Sequence, residues 1–65
     1  MNIDNIEEVY RIVKYSFAKF DVESEFDAIN IAQRFFKKYN ENFSIKQIYS
    51  EFDNLEMKYH IYIAY

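Results

Sequence analysis

The chain has 65 residues, a mass of 8.0 kDa, and no Gly, Pro, Cys or Trp. That length allows one domain over 1–65 and excludes an enzyme built from two lobes. The missing Gly excludes phosphate-cradling loops, and the missing Cys excludes disulfides and thiolate chemistry. Eight Lys and Arg against eleven Asp and Glu, a formal charge of −3, leave no basic surplus for non-specific phosphate binding.

The first predicted element is a helix from about Asp4 to Phe20. At about 100° per residue, Ile3, Ile6, Val9, Tyr10, Val13, Phe17 and Phe20 share one stripe, with Ile12 and Tyr15 outside it. Acids lead and bases follow, as the helix dipole favours. A stop and restart at Asp21-Val22-Glu23-Ser24 opens the second helix, where Ser24 and Asp27 resemble a capping box. Its stripe is Ala28, Ile29, Ala32, Phe35, Phe36 and Tyr39, and Asn40-Glu41-Asn42 ends it. A third helix is predicted from Ser44, capped with Gln47, through Ile45, Ile48, Tyr49 and Phe52 to about Asp53-Asn54.

The tail reads differently. Met57, Tyr59, Ile61, Ile63 and Tyr65 alternate with Glu56, Lys58, His60, Tyr62 and Ala64, a period that favours strand. Leu55 and Tyr59 also continue the helical stripe, which leaves a helical tail as the alternative. No other segment alternates as clearly, so this lone strand is expected to pair with another chain. The expected fold is therefore mainly α: three short amphipathic helices in a compact bundle with an apolar C-terminal extension.

Fourteen residues are aromatic, seven Phe and seven Tyr, beside nine Ile. A domain of about 60 residues buries only around 60% of its unfolded surface, so some of this apolar area is expected to meet a protein partner or a second copy. Tyr59, Ile61, Tyr62, Ile63 and Tyr65 are the expected anchors. Asp21, Glu23, Glu25 and Asp27 form a second candidate, an acidic contact patch. Their alternate spacing is that of calcium-loop ligands, but Phe26 stands where the turn needs Gly and Ala32 where the bidentate Glu belongs.

No catalytic, cofactor-binding or metal-binding residues are expected. His60 is the only histidine, and only Glu56, four residues earlier, is spaced to approach it on a helix. Asn42-Phe43-Ser44 matches a glycosylation sequon, but Ser44 reads better as a helix cap. With neither a signal-peptide pattern nor a run long enough to span a bilayer, a cytoplasmic protein is expected.

The functional expectation is a small non-enzymatic interaction protein, a homodimer or an inhibitor of a larger protein, without membrane or small-molecule partners. Ile, Asn, Lys, Tyr and Phe supply 35 of 65 residues. All five use A/T-rich codons, which suggests an A/T-rich bacterium or its phages, and the composition is similar to that of small acidic phage inhibitors. The alternative is a helix-turn-helix DNA-binding regulator, with Arg34, Lys37 and Lys38 before the turn and Ser44–Phe52 as recognition helix. That helix offers only Lys46 and Gln47 to base edges, so nucleic acid is the less favoured partner.

Overall fold

The computed structural model describes residues 10–39 and 44–65. Their order is β1 (Ile12–Ala18), α1 (Glu25–Tyr39), β2 (Gln47–Asp53) and β3 (Lys58–Ala64). The strands form one antiparallel sheet in the order β1-β3-β2. β1 and β2 thus run parallel with β3 between them, and α1 connects them over one face as a split β-α-β unit.

This corrects the expected bundle of three helices: the described residues hold one helix and a three-stranded sheet. The helical stripe assigned to Asp4–Phe20 covers two different things. Residues 4–9 lie outside the described residues, and Ile12–Ala18 is an edge strand. Val13 and Phe17 are four apart, a spacing that serves either period. Tyr15 decides, because it leaves the helical stripe but stands in line with Val13 and Phe17 on a strand. β-branched Ile12 and Val13 and aromatic Tyr15 and Phe17 also suit a pleated surface.

The expected third helix is likewise β2. Ile48 and Phe52 are again four apart, and the residue between them on the strand's inner face is polar. Ser50 interrupts the alternation because its hydroxyl donates to the Glu25 carboxylate at the start of α1.

The second helix forms where its cap and stripe predict. The Asp27 N–H donates to Ser24 Oγ at 3.2 Å, and Glu25 and Asp27 lead while Lys37 and Lys38 follow. Ala28, Ala32 and Phe36 are buried at four-residue intervals. The two alanines let the helix backbone approach β3 closely.

β3 is the strand the tail predicts, but its partners belong to the same chain. One row of the sheet is Ile12–Ala64–Gln47, and at the opposite end another is Ala18–Lys58–Asp53. Facing α1 are Val13, Tyr15 and Phe17, then Tyr59, Ile61 and Ile63, then Ile48 and Phe52. Ile61 and Ile63 are fully enclosed with Phe36, which meets Tyr65 edge-on at 4.8 Å. The other face carries Lys14, Ser16, Tyr49, Glu51, Asp53, Lys58, His60 and Tyr62. A single helix on a single sheet makes a thin body of 33 × 26 × 14 Å.

Candidate functional site

The β2–β3 hairpin turns through Asn54, Leu55, Glu56 and Met57. Asp53 holds the turn: its Oδ1 accepts the Leu55 N–H at 2.9 Å and the Glu56 N–H at 3.1 Å. Met57 takes a positive φ of 54°, in a chain without glycine, and its carbonyl accepts the Lys19 N–H at 3.0 Å. That bond ties the hairpin tip to the loop after β1, so both loops belong to one end of the molecule.

On the open face at this end, Asp53 lies diagonal to His60, which is only 6% exposed. Asp53 Oδ2 stands 3.4 Å from His60 Nε2, and Ser16 Oγ stands 2.9 Å from Nδ1. The Glu56 N–H foremost, and then the His60 ring, hold the Asp53 carboxyl below its ordinary value of 3.8. Asp53 therefore presents an anion to the imidazole. Ser, His and Asp in contact invite comparison with a hydrolytic triad, but here the serine meets Nδ1 and the carboxylate meets Nε2. In a triad the serine meets Nε2 and the carboxylate meets Nδ1.

The same end collects charge and exposed apolar groups. All seven acids among the described residues, Asp21, Glu23, Glu25, Asp27, Glu51, Asp53 and Glu56, lie in the half that holds the hairpin tip and the start of α1. Phe20 is 94% exposed, Phe26 71% and Leu55 97%. Six bases, Arg11, Lys14, Arg34, Lys37, Lys38 and Lys46, lie toward the other end, leaving Lys19 and Lys58 among the acids.

In that basic half, α1 carries a surface pocket of about 180 Å³ lined by Ile31, Arg34, Phe35 and Lys38. Its Phe35 ring stacks on Tyr15 of β1 with centroids 6.3 Å apart. Burial, with the Tyr65 and Tyr39 phenols nearby, pushes the Tyr15 hydroxyl above its ordinary pKa and keeps it neutral. The pocket is smaller than the roughly 300–1,000 Å³ that drug-sized ligands occupy, so it suits a side chain better than a cofactor.

The residues expected from sequence as partner anchors divide between the faces. Tyr59, Ile61, Ile63 and Tyr65 belong to the apolar cluster under α1, and only Tyr62 stands on the open face, against Tyr49 and beneath Lys14. Asp21, Glu23 and Glu25 are exposed and Asp27 is half-buried, all at the acidic end. The residues Lys46 and Gln47, expected to reach DNA bases from a recognition helix, instead precede and open a strand. Sequence reasoning missed Ser16 and Asp53 as partners of His60. The one local hint was the Asp53-Asn54 pair, which suits an Asx turn but does not by itself bring Asp53 to His60.

Among the described residues, no helix is long and apolar enough to cross a membrane. Comparison with protein-family models, curated proteins and solved structures returned no match.

Proposed function

We propose that this chain is a non-enzymatic, cytoplasmic protein-interaction module that docks through its acidic end. One observation carries the reading: Phe20, Phe26 and Leu55 stand exposed at the end where the described acids gather. Large apolar side chains ringed by charge are the anatomy of an interface core with a polar rim. The complementary surface is an apolar pocket rimmed by Lys and Arg. The chain carries such a pocket itself, between Arg34 and Lys38 on α1. The partner is therefore a second copy, with the acidic end of one chain on the basic groove of the next. This arrangement is heterologous, so it extends into chains unless the rotation closes a ring. The absence of cysteine supports the cytoplasmic part of the reading.

The test is solution mass by light scattering over a range of protein concentrations at low and high salt. At low salt the average mass should climb above 8.0 kDa as concentration rises. High salt should lower it again, because exposed charge pairs are screened. A monomer at every concentration in low salt would overturn self-docking.

A further inference from the structure

The hairpin end holds a second chemistry that does not depend on the docking reading. Asp53, Glu56 and His60 each offer one ligand atom, and these three atoms lie within 4.8 Å of one another. We propose that they form a binding site for a divalent transition-metal ion, with zinc the best fit, held by one imidazole nitrogen and two carboxylate oxygens.

Three observations carry this. First, the Asp53 Oδ2 to His60 Nε2 separation of 3.4 Å is long for a charge-assisted hydrogen bond. It is the spacing of two ligands that each sit about 2.0–2.1 Å from one ion at a tetrahedral angle, which places them about 3.4 Å apart. Second, His60 is more than nine-tenths buried and its ring is aimed at the carboxylates, with Nδ1 against Ser16 Oγ at 2.9 Å. A hydrogen bond from the distal ring nitrogen to an outer group is how metal-binding histidines are fixed in tautomer and orientation. A divalent cation between Nε2 and Asp53 Oδ2 would take the place of the proton these two atoms share, with Nδ1–H then donating to Ser16 Oγ. Third, the turn commits Asp53 Oδ1 to two backbone N–H groups and leaves Oδ2 for the ion.

Glu56 supplies the third ligand from the turn itself. Its present partner, Lys58 Nζ at 4.0 Å, is a long and exposed pairing that costs little to release. Three protein ligands leave a fourth position for water or for a group brought by a partner. Nitrogen and carboxylate ligands favour zinc over magnesium, which prefers six oxygens in octahedral geometry.

The experiment titrates the chelator-treated full chain with zinc chloride by calorimetry and follows the imidazole nitrogens by NMR. His60 is the only histidine, so its ring signals need no assignment. One zinc per chain should bind, the Nε2 resonance should move far more than Nδ1, and magnesium at the same concentration should do neither. Glu56→Gln alters an exposed turn side chain and keeps the fold, and it should weaken zinc affinity at least tenfold. Asp53→Asn should weaken it further, with folding checked by circular dichroism. Absence of zinc binding at millimolar metal, an unmoved Nε2 resonance, or an affinity unchanged in Glu56→Gln would each overturn the site.

Discussion

Met57 and Asp53 show what single residues contribute to this hairpin. A non-glycine residue in the left-handed region costs roughly 1–2 kcal/mol, and Met57 bears that cost at a φ of 54°. Met57→Gly should therefore stabilise the fold by about 0.5–1 kcal/mol, net of the entropy glycine adds to the unfolded chain. A urea midpoint that rises without a change in slope is the expected result, and an unchanged or lower midpoint would contradict the strain. Asp53 contributes in a pH-dependent way. Its carboxyl is held below 3.8 in the folded chain, foremost by the Glu56 N–H. The stability it adds is therefore present above the ordinary carboxylate pKa and is lost as pH falls through the folded value. Unfolding curves of wild type and Asp53→Asn should keep a constant gap well above the ordinary carboxylate pKa and converge as pH falls below 3.8. A gap that stays constant through that fall would assign Asp53 no ionised role.

Burial in a fold this thin is concentrated in the contact between α1 and β3. Phe36 is fully buried on Ile61 and Ile63, whereas Phe26 on the same helix is exposed. Truncating a buried Phe costs about 3–5 kcal/mol, against a total of about 3–10 kcal/mol for a domain of this size. Phe36→Ala should lower the thermal midpoint by tens of degrees or unfold the chain, while Phe26→Ala should shift it by a few degrees at most. Equal effects would mean the core is elsewhere. The same contrast shows what was legible in the sequence. α1 could be read because cap, charge order and stripe agree, and β3 because Tyr59, Ile61 and Ile63 alternate without interruption. β1 and β2 could not. Their apolar pairs Val13–Phe17 and Ile48–Phe52 sit four apart, a distance common to both periods. Ser50 breaks the alternation for a reason that exists only across the fold, its bond to Glu25. The polar cluster was hidden for the same reason. Asp53 reaches His60 only once the hairpin has formed, and Ser16 only once β1 lies beside β3.

At the scale of the molecule, the split β-α-β path sorts the charges of the described residues by end. Loops after β1 and β2 and the start of α1 fall together, and their acids fall with them. The last turns of α1 bring the bases to the opposite half. The surplus aromatic surface expected from composition is real, but it is placed differently from expectation. The tail closes on its own helix, and the most exposed apolar groups are Phe20, Phe26 and Leu55, with Tyr39 at the other end of α1 next at 69%. Among the described residues the charge divides into two ends of opposite sign, each carrying exposed apolar surface. That polarity is the physical basis of the proposed docking.

The most direct test mixes two variants that are each disabled at one end. Phe20→Ser/Leu55→Ser keeps the basic groove and removes the two most exposed of the three apolar groups at the acidic end, and Arg34→Glu/Lys38→Glu keeps the acidic end and reverses the groove. Both sets are exposed and should fold normally. Each variant alone should run as a single chain in light scattering at low salt. Their mixture should give a species of two chains, because one intact acidic end then meets one intact groove. Single chains in the mixture, with wild type associating under the same conditions, would contradict the pairing of these two surfaces.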